Sequence, residues 1–265
     1  MNVFRLLRSR FYSLPRRVRF LIWTFLFMFL AGWTYYRLFR ANPNQWRKVF
    51  KLGISVPLKY QVHGIDVSHH NGEVDWKTVR KIRFGGDDLR IEFAFLKATE
   101  GVTHADRQFE RNWEHVKKSG LKRGAYHFYI PWRDPEPQAR NFINSVDLEE
   151  GDLAPVLDIE QNSLKPDSQI IQEIGIWLKM VEEHYHKKPI IYTNPNFYRK
   201  FIEGNYDDYP LWIADYSNEN LKGYNQNLWF WQHNKKAWVN GIEGGVDFNA
   251  FLGSMEDLED LCIGH

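Results

Sequence analysis

The chain has 265 residues, 43% of them hydrophobic, which is enough to build a substantial globular core. Residues 1–60 carry twelve Lys and Arg and no acid, whereas the other 205 residues hold 23 basic and 33 acidic side chains, a net charge of −10. This acidic body argues against nucleic acid as a partner, because phosphate binding depends on clustered Lys and Arg. The single Cys262 excludes an intramolecular disulfide and a metal site built from cysteines.

The first predicted element is an apolar helix near the amino terminus. Residues 20–36, FLIWTFLFMFLAGWTYY, contain no charge and are just long enough to cross a hydrocarbon core. A cleaved signal peptide has a shorter apolar stretch and a small-x-small cleavage site, for which FLAGW is a poor match. The segment therefore predicts a retained transmembrane signal anchor with the lipid bilayer as its partner.

Basic residues flank this segment on both sides, so the positive-inside rule does not decide its orientation. Residues 1–19 form a basic amino terminus. Residues 37–60 are predicted to be a basic tether, in which Pro43 and Pro57 oppose a continuous helix. Such a stretch beside a membrane can also contact anionic headgroups.

Eight short apolar runs follow, as expected for strands covered on both faces. They are GIDVS, FAFLKATEG, GAYHFY, APVLDIE, PIIYTN, LWIADY, LWFWQHN and GVDFNAF, beginning at residues 64, 93, 124, 154, 189, 211, 228 and 245. Between the early runs, residues 109–116 and 170–185 show the apolar spacing of helices. Gly120 provides a stop, Asp75 an N-cap, and Ser254 begins a capping-box pattern for a final helix.

The spacing of the runs predicts the fold class. Alternating strands and helices favour parallel strands joined by right-handed crossovers. Successive runs start about thirty residues apart up to residue 189, but only seventeen or eighteen apart from residue 211 onward, which is too short for a helix with both loops. We therefore predict an α/β fold over residues 61–265, an irregular TIM-like (β/α)5(β)3 barrel with five strand-helix units and three closing strands.

Chemistry is expected where the strands end, since the carboxyl ends of parallel barrel strands meet at one face. One acid at such a position can simply cap a helix. Several acids on one rim repel each other and raise each other's pKa, which is unfavourable, so their convergence indicates a functional site. The polar residues at the predicted strand ends are Asp66, Glu100, His127, Asp158, Glu160, Tyr192, Asp215, Gln232 and Asp247.

The stretch APVLDIEQN places Asp158 and Glu160 on the same side of a strand, with Ile159 facing the helices. A close pair of acids is expected to separate into one group that keeps its proton near neutrality and one that is ionised. Glycoside hydrolysis requires that division between a proton donor and a carboxylate. Stacking surfaces for sugars are expected from Tyr126, Tyr192, Trp212 and Tyr216.

The runs HGIDVSHHNGEVDW, FAFLKATEG, RQFERNWEHVKKSGLKRGAYHFY, PVLDIE, PIIYTN, LWIADY and VDFNAF, in this order, resemble glycoside hydrolase family 25. These are lysozymes that cleave the β-1,4 bond of N-acetylmuramic acid in peptidoglycan. The match covers residues 62–253, and seven motifs agree in order and spacing. The resemblance implies the irregular barrel, peptidoglycan strands as partner and no cofactor.

The resemblance also implies roles for individual residues. Glu160 matches the proton donor, and Asp158 matches the acid that orients the substrate acetamido group. Asp66 and Asp247 match the acids of the first and last strands. The residues that match the saccharide groove are Tyr126, Tyr192, Trp212, Asp215, Tyr216 and Gln232, with Glu100 and His127 added from the strand-end list. The acetamido group can itself be the nucleophile, but the sequence does not show whether it takes part, so retention and inversion both remain open.

Other interpretations compete with this one. His69 and His70 beside Asp66 suggest a metal site, but adjacent strand residues point to opposite faces, so at most one reaches a site shared with Asp66. Lys97 suggests Schiff-base chemistry, although pairing with a neighbouring acid is the simpler interpretation. The main alternative is a membrane-tethered module that binds peptidoglycan without cutting it, and a zymogram distinguishes the two; an interaction scaffold is a third possibility.

The substrate also constrains the topology. Peptidoglycan lies outside the cytoplasmic membrane, so the lysozyme interpretation requires a single-pass inner-membrane protein with its barrel on the outer, periplasmic side. Residues 1–19 are then cytoplasmic, residues 20–36 span the membrane and residues 61–265 form the catalytic barrel. The sequence leaves the oligomeric state open.

Overall fold

The computed structural model describes residues 14–39, 46–84, 89–217 and 220–264. The chain divides into two compact units, Met1–Gln45 and Trp46–His265. The predicted amino-terminal segment up to residue 13 lies outside the described residues.

The first unit contains one long helix, α1 (Arg16–Phe39), which begins directly after Pro15. Its residues Arg16–Tyr35 are the one stretch among the described residues long and apolar enough to cross a membrane. Large apolar side chains in this stretch, such as Phe25 and Phe27, are 72% exposed. The predicted apolar helix is thus present, and it is longer than the uncharged stretch of residues 20–36 from which it was predicted.

The second unit begins with a hairpin of two antiparallel strands, β1 (Trp46–Val49) and β2 (Ile54–Pro57), joined by a 3-10 turn at Phe50–Leu52. Leu52 and Val56 are buried. The Trp46 ring contacts the ring of Trp231 in the barrel in an edge-to-face arrangement, with ring centroids 5.4 Å apart. Over residues 46–57 the structure therefore differs from the tether predicted for residues 37–60. Four apolar side chains of this stretch (Val49, Leu52, Ile54 and Val56) belong to the core, which makes the hairpin part of the folded unit.

The hairpin is followed by a closed sheet of eight main strands. They are β3 (Val62–Val67), β4 (Ile91–Glu100), β6 (Lys122–Phe128), β7 (Val156–Asp158), β8 (Ile190–Thr193), β9 (Leu211–Ala214), β10 (Leu228–Trp238) and β11 (Gly245–Phe251). A short strand β5 (His104–Ala105) pairs antiparallel with the end of β4. Around the barrel the strands follow the order β3, β11, β10, β9, β8, β7, β6 and β4, and β3 pairs with β4 to close it.

Helices follow the first five of these strands, as the spacing predicted. They are α2 (Trp76–Arg80), α3 (Phe109–Ser119), α4 (Pro135–Ser145), α5 (Asp167–Tyr185) and α6 (Pro195–Phe197), the last continuing into a π turn over Tyr198–Ile202. No described helix follows β9, β10 or β11 until α7 (Met255–Asp260). The predicted helix signals are confirmed, since Asp75 caps α2, Gly120 ends α3 in the left-handed region and Ser254 forms a capping box. The (β/α)5(β)3 prediction is therefore correct.

The barrel interior is filled by aromatic rings that face glycines. A Cβ atom at Gly64 would lie 2.3 Å from the Phe93 ring, and one at Gly124 would lie 2.4 Å from the Phe95 ring. Phe95 in turn stacks on Trp212 with a centroid distance of 4.5 Å. Small residues on β3 and β6 thus make room for large ones on β4, and this packed layer supports the cavity above it.

Candidate active site

A cavity of about 380 Å³ opens where the parallel strands end. Acidic and aromatic side chains from seven strands and the adjoining loops converge on it. Its lining residues are Asp66, Ser68, His70, Lys97, Glu100, Tyr126, Phe128, Asp158, Glu160, Tyr192, Trp212 and Asp247.

Asp158 and Glu160 face this cavity together. Asp158 is the last residue of β7, and Ile159 between them is fully buried in the core between the barrel and its helices. The alternation of a strand therefore continues for two residues past the end of β7. Asp158 is 7% exposed, and its Oδ1 atom has no hydrogen-bond partner among the described residues. Glu160 is more accessible and shares the rim with a second groove.

Burial raises the pKa of both carboxyl groups. For Asp158 the pKa lies well above its usual value, first because the group is buried and then because of the nearby charge of Glu160, while the Lys97 ammonium acts in the opposite direction. The pKa of Glu160 is raised by burial. Both shifts have the same direction, and the nearby charge of Glu160 adds to the shift of Asp158 only.

Asp66 and Asp247 form a second acidic pair. They are register partners on β3 and β11, which run antiparallel. Asp247 does not lie at a strand end as predicted: it lies near the beginning of β11, and only the reversed direction of that strand brings it to the cavity. Burial and the Asp247 charge raise the pKa of Asp66 well above normal, and burial raises the pKa of Asp247 to about 6.

Two buried amides hold Asp66 in place. Its Oδ2 atom accepts hydrogen bonds from Gln232 Nε2 at 2.9 Å and from Asn249 Nδ2 at 2.7 Å. The amide oxygen of Gln232 accepts from the hydroxyls of Tyr192 and Tyr216, and that of Asn249 accepts from Trp212 Nε1 at 2.9 Å. Because each amide oxygen is already engaged by a donor, each amide nitrogen is directed at Asp66.

Lys97 is the cation of the cavity. Its Nζ atom lies 2.6 Å from Glu100 and 4.6 Å from the centre of the Phe128 ring. The simpler prediction for Lys97, pairing with a neighbouring acid, is therefore correct. Its charge also opposes the rise in the pKa of Asp158, so the ammonium acts on two carboxyl groups of the cavity.

Some predicted site residues lie elsewhere. His127 is fully buried on the outer face of β6, where it contacts Thr99 Oγ1 at 2.7 Å and stacks on Trp177, because its neighbour Tyr126 takes the inward face. Trp212 lines the cavity floor but is 2% exposed, so it does not offer an open stacking face. Gln232 lies one layer below the lining.

Asp215 and Tyr216 line an adjoining groove of about 900 Å³ that shares Glu160 with the cavity. Asp215 accepts hydrogen bonds from Ser217 and from the Tyr224 hydroxyl at 2.6 Å. Tyr216 keeps 49% of its surface exposed while its hydroxyl is fixed by Gln232. Of the predicted aromatic surfaces, Tyr216 is thus the most open to a ligand.

Sequence reasoning missed Asn249. It lies two residues after Asp247 on β11, so the alternation that singled out Asp158 and Glu160 also pointed to it. The metal hypothesis finds no support in the geometry: His69 bonds Asp106 at 2.7 Å, only His70 of the histidine pair lines the cavity, and the described residues contain no cluster of three metal-ligating side chains.

Comparisons with known proteins agree with this geometry. The model of the family "Glycosyl hydrolases family 25" matches residues 65–242. The YegX protein of Escherichia coli (strain K12) is 41% identical over 219 residues, which are 83% of this chain and 80% of YegX. The "Autolytic lysozyme" of Clostridium acetobutylicum is 30% identical over 193 residues, covering 71% of this chain and 55% of that protein.

Solved structures give the same result. A family 25 glycosyl hydrolase from Bacillus anthracis has a TM-score of 0.70 and 30% identity over 77% of this chain and 94% of its own. The bacterial lysozyme from Streptomyces coelicolor has a TM-score of 0.68 and 29% identity over 76% and 96% of the two chains. With its eight-stranded barrel and acid-lined cavity, the chain belongs to glycosyl hydrolase family 25.

Proposed function

We propose that the protein is a lysozyme that cleaves the β-1,4 bond between N-acetylmuramic acid and N-acetylglucosamine in peptidoglycan. The observation that carries this proposal is the convergence of Asp66, Asp158, Glu160 and Asp247 on one cavity at the strand ends. Supporting it, related proteins are named as an autolytic lysozyme and as lysozyme M1 of Streptomyces globisporus.

Glu160 is the proposed proton donor. Its pKa is raised by burial, which favours the protonated acid that a leaving oxygen requires. It also lies at the junction of the cavity and the adjoining groove, where a sugar chain running from one to the other would place its scissile bond. Glu160 protonates the glycosidic oxygen as the bond to the anomeric carbon breaks, and then accepts a proton from the attacking water.

Asp158 is proposed to act on the substrate acetamido group. Its unpartnered Oδ1 atom in the buried cavity can accept a hydrogen bond from the acetamido N–H. Such a bond favours the ionised form of Asp158 and so opposes the effect of burial on its pKa. The acetamido oxygen then attacks the anomeric carbon as the leaving group departs, and the Asp158 carboxylate stabilises the resulting oxazolinium cation. Two displacements at the same carbon give retention.

Replacing Glu160 tests the donor. Glu160→Gln keeps the size and polarity of the side chain but cannot deliver a proton, so turnover should fall at least 10²- to 10⁴-fold while saccharide binding is preserved. A zymogram of the wild-type protein separates the enzyme from a module that only binds peptidoglycan. Retained activity in Glu160→Gln would refute the assignment of Glu160 but leave the lysozyme proposal intact.

The products identify the bond and the mechanism. Mass spectrometry of fragments released from purified peptidoglycan should show reducing muramic acid ends. NMR spectra recorded at early times should show the β anomer if the acetamido group participates. Reducing N-acetylglucosamine ends would contradict the bond assignment, and an initial α anomer would contradict the displacement sequence.

For localisation, we propose that α1 is a retained signal anchor in the cytoplasmic membrane with the second unit on the periplasmic side. The uncharged stretch within α1 and the position of peptidoglycan support this. Protease added to spheroplasts should degrade the barrel, and the intact protein should resist extraction by carbonate. Protection of the barrel from the protease would contradict this orientation.

A further inference from the structure

A basic and aromatic patch lies on the second unit where the hairpin turn meets the tip of β10. It includes Phe50 and Trp238, which are 83% and 63% exposed although both are large apolar side chains. The Trp238 indole lies against Gly53, where an added Cβ atom would be 2.9 Å from the ring. The two aromatic residues are thus carried by neighbouring parts of the fold. We call this surface, with the basic residues around it, the turn patch.

Positive charge surrounds these rings. A shallow cavity of about 330 Å³ beside Trp238 is lined by Lys51, Lys81 and Arg83 and by no acidic residue. Lys48 lies over the Phe50 ring at 5.4 Å. None of these four basic side chains forms an ion pair within the described part of the chain. An unpaired basic cluster is unusual on a body whose net charge is negative.

The position of the patch in the chain indicates its occupant. Six residues, 40–45, separate α1 from β1, so the seven Cα–Cα steps from Phe39 to Trp46 span at most about 25 Å. If α1 is anchored in the bilayer as proposed above, this short connection keeps the hairpin near the membrane. The hairpin lies outside residues 65–242, which match the family model, whereas Lys81, Arg83 and Trp238 lie within them.

We propose that the turn patch binds anionic phospholipid headgroups at the bilayer surface. Lysine and arginine side chains attract such headgroups, and exposed Trp and Phe side chains insert at the headgroup level. The anchor and the turn patch then act as two linked membrane contacts, the second strengthened by the short connection. This inference goes beyond the proposed hydrolysis and does not depend on it.

The test uses residues 46–265, which form one compact unit that corresponds to solved enzymes of the same fold. This fragment is sedimented with vesicles of phosphatidylcholine alone or of equal parts phosphatidylcholine and phosphatidylglycerol, at low and high salt. Binding is expected only to the anionic vesicles and should weaken with salt.

Two variants probe the patch. Lys51→Ser with Lys81→Ser should weaken binding roughly fivefold for each charge removed. Phe50→Ser with Trp238→Ser should also weaken vesicle binding, but the dependence of that binding on salt should change less than in the lysine variant. As a matched control, Lys118→Ser with Lys179→Ser removes two exposed lysines from α3 and α5 and should bind nearly as the wild type does. Far-ultraviolet circular dichroism verifies that each variant is folded.

Three results would overturn the proposal: no sedimentation with anionic vesicles at low salt, equal weakening in the control, or patch variants that lose binding to purified peptidoglycan and not to vesicles. The last would assign the patch to the wall polymer. Hydrolysis of soluble glycan fragments is expected to be unchanged in the patch variants, so a failure of the lysozyme proposal would be seen separately.

Discussion

Asp66 and Asp247 lie opposite each other on antiparallel strands, and both carboxyl groups line the cavity. Burial raises the pKa of both, and Gln232 and Asn249 fix the first of them from below. Both carboxyl groups therefore bind a proton more readily in the folded protein than in the unfolded chain, which makes stability depend on pH.

The pair predicts a pH dependence of unfolding. Between the ordinary aspartate pKa of 3.8 and about 6, folded Asp247 binds more protons than unfolded Asp247 does, so the free energy of unfolding falls as pH rises through this window. Asp247→Asn has no carboxyl group at this position, so it does not show this fall in the free energy of unfolding. The stability of the variant relative to the wild type should therefore increase from pH 4 to pH 7 by up to roughly 3 kcal/mol, measured by urea unfolding. Asp147→Asn, at an exposed position outside the cavity, is the control. If the free energy of unfolding depends on pH in the same way in Asp247→Asn and in the wild type, the prediction is contradicted.

Lys97 predicts a shift in the pH dependence of activity. Its ammonium opposes the rise in the Asp158 pKa, so Lys97→Met should raise that pKa further. If ionised Asp158 is needed for turnover, the acidic limb of the kcat/KM profile moves to higher pH. Lys97→Arg keeps the charge and should keep the limb closer to its wild-type position. If the acidic limb of the profile stays in place in Lys97→Met, the ionisation that it reports does not belong to Asp158.

The packed layer below the site predicts sensitivity to one added methyl group. Gly124→Ala brings a Cβ atom against the Phe95 ring, so the free energy of unfolding should fall by about 1 to 3 kcal/mol. Phe95→Leu combined with Gly124→Ala relieves this contact, and thermal unfolding should show the double variant to be less destabilised than the sum of the single variants. Additive losses would indicate that the backbone has moved instead.

The hairpin predicts where the second unit begins. Removing residues 46–60 uncovers Trp231 and His233 and deletes four core side chains, so a fragment of residues 61–265 should be several kcal/mol less stable than residues 46–265. Thermal unfolding and binding of a hydrophobic dye compare the two fragments. Equal midpoints would show that the hairpin is dispensable for folding.

Local patterns were sufficient for much of this molecule. The eight apolar runs correspond to the eight barrel strands, and the short spacing after residue 211 correctly indicated strands without helices. Side-chain alternation also placed Asp158 and Glu160 on the cavity and Ile159 in the core. These predictions succeeded because period and spacing depend on backbone geometry alone.

Other features depended on neighbours distant in sequence. His127 was assigned to the groove although Tyr126 takes the inward face, and the basic residues 46–60 read as a tether although their alternate apolar side chains cover β10. Neither composition nor charge reveals which surface a hairpin will cover.

By itself, the sequence determined the apolar amino-terminal helix, the barrel class, the family and the set of acids, because each follows from local pattern or from motifs in order. Tertiary structure alone decided the antiparallel direction of β11 that brings Asp247 opposite Asp66, and the two amides that hold Asp66. It also decided the protonation preferences of the site, since a pKa depends on burial and on charges that only folding brings together.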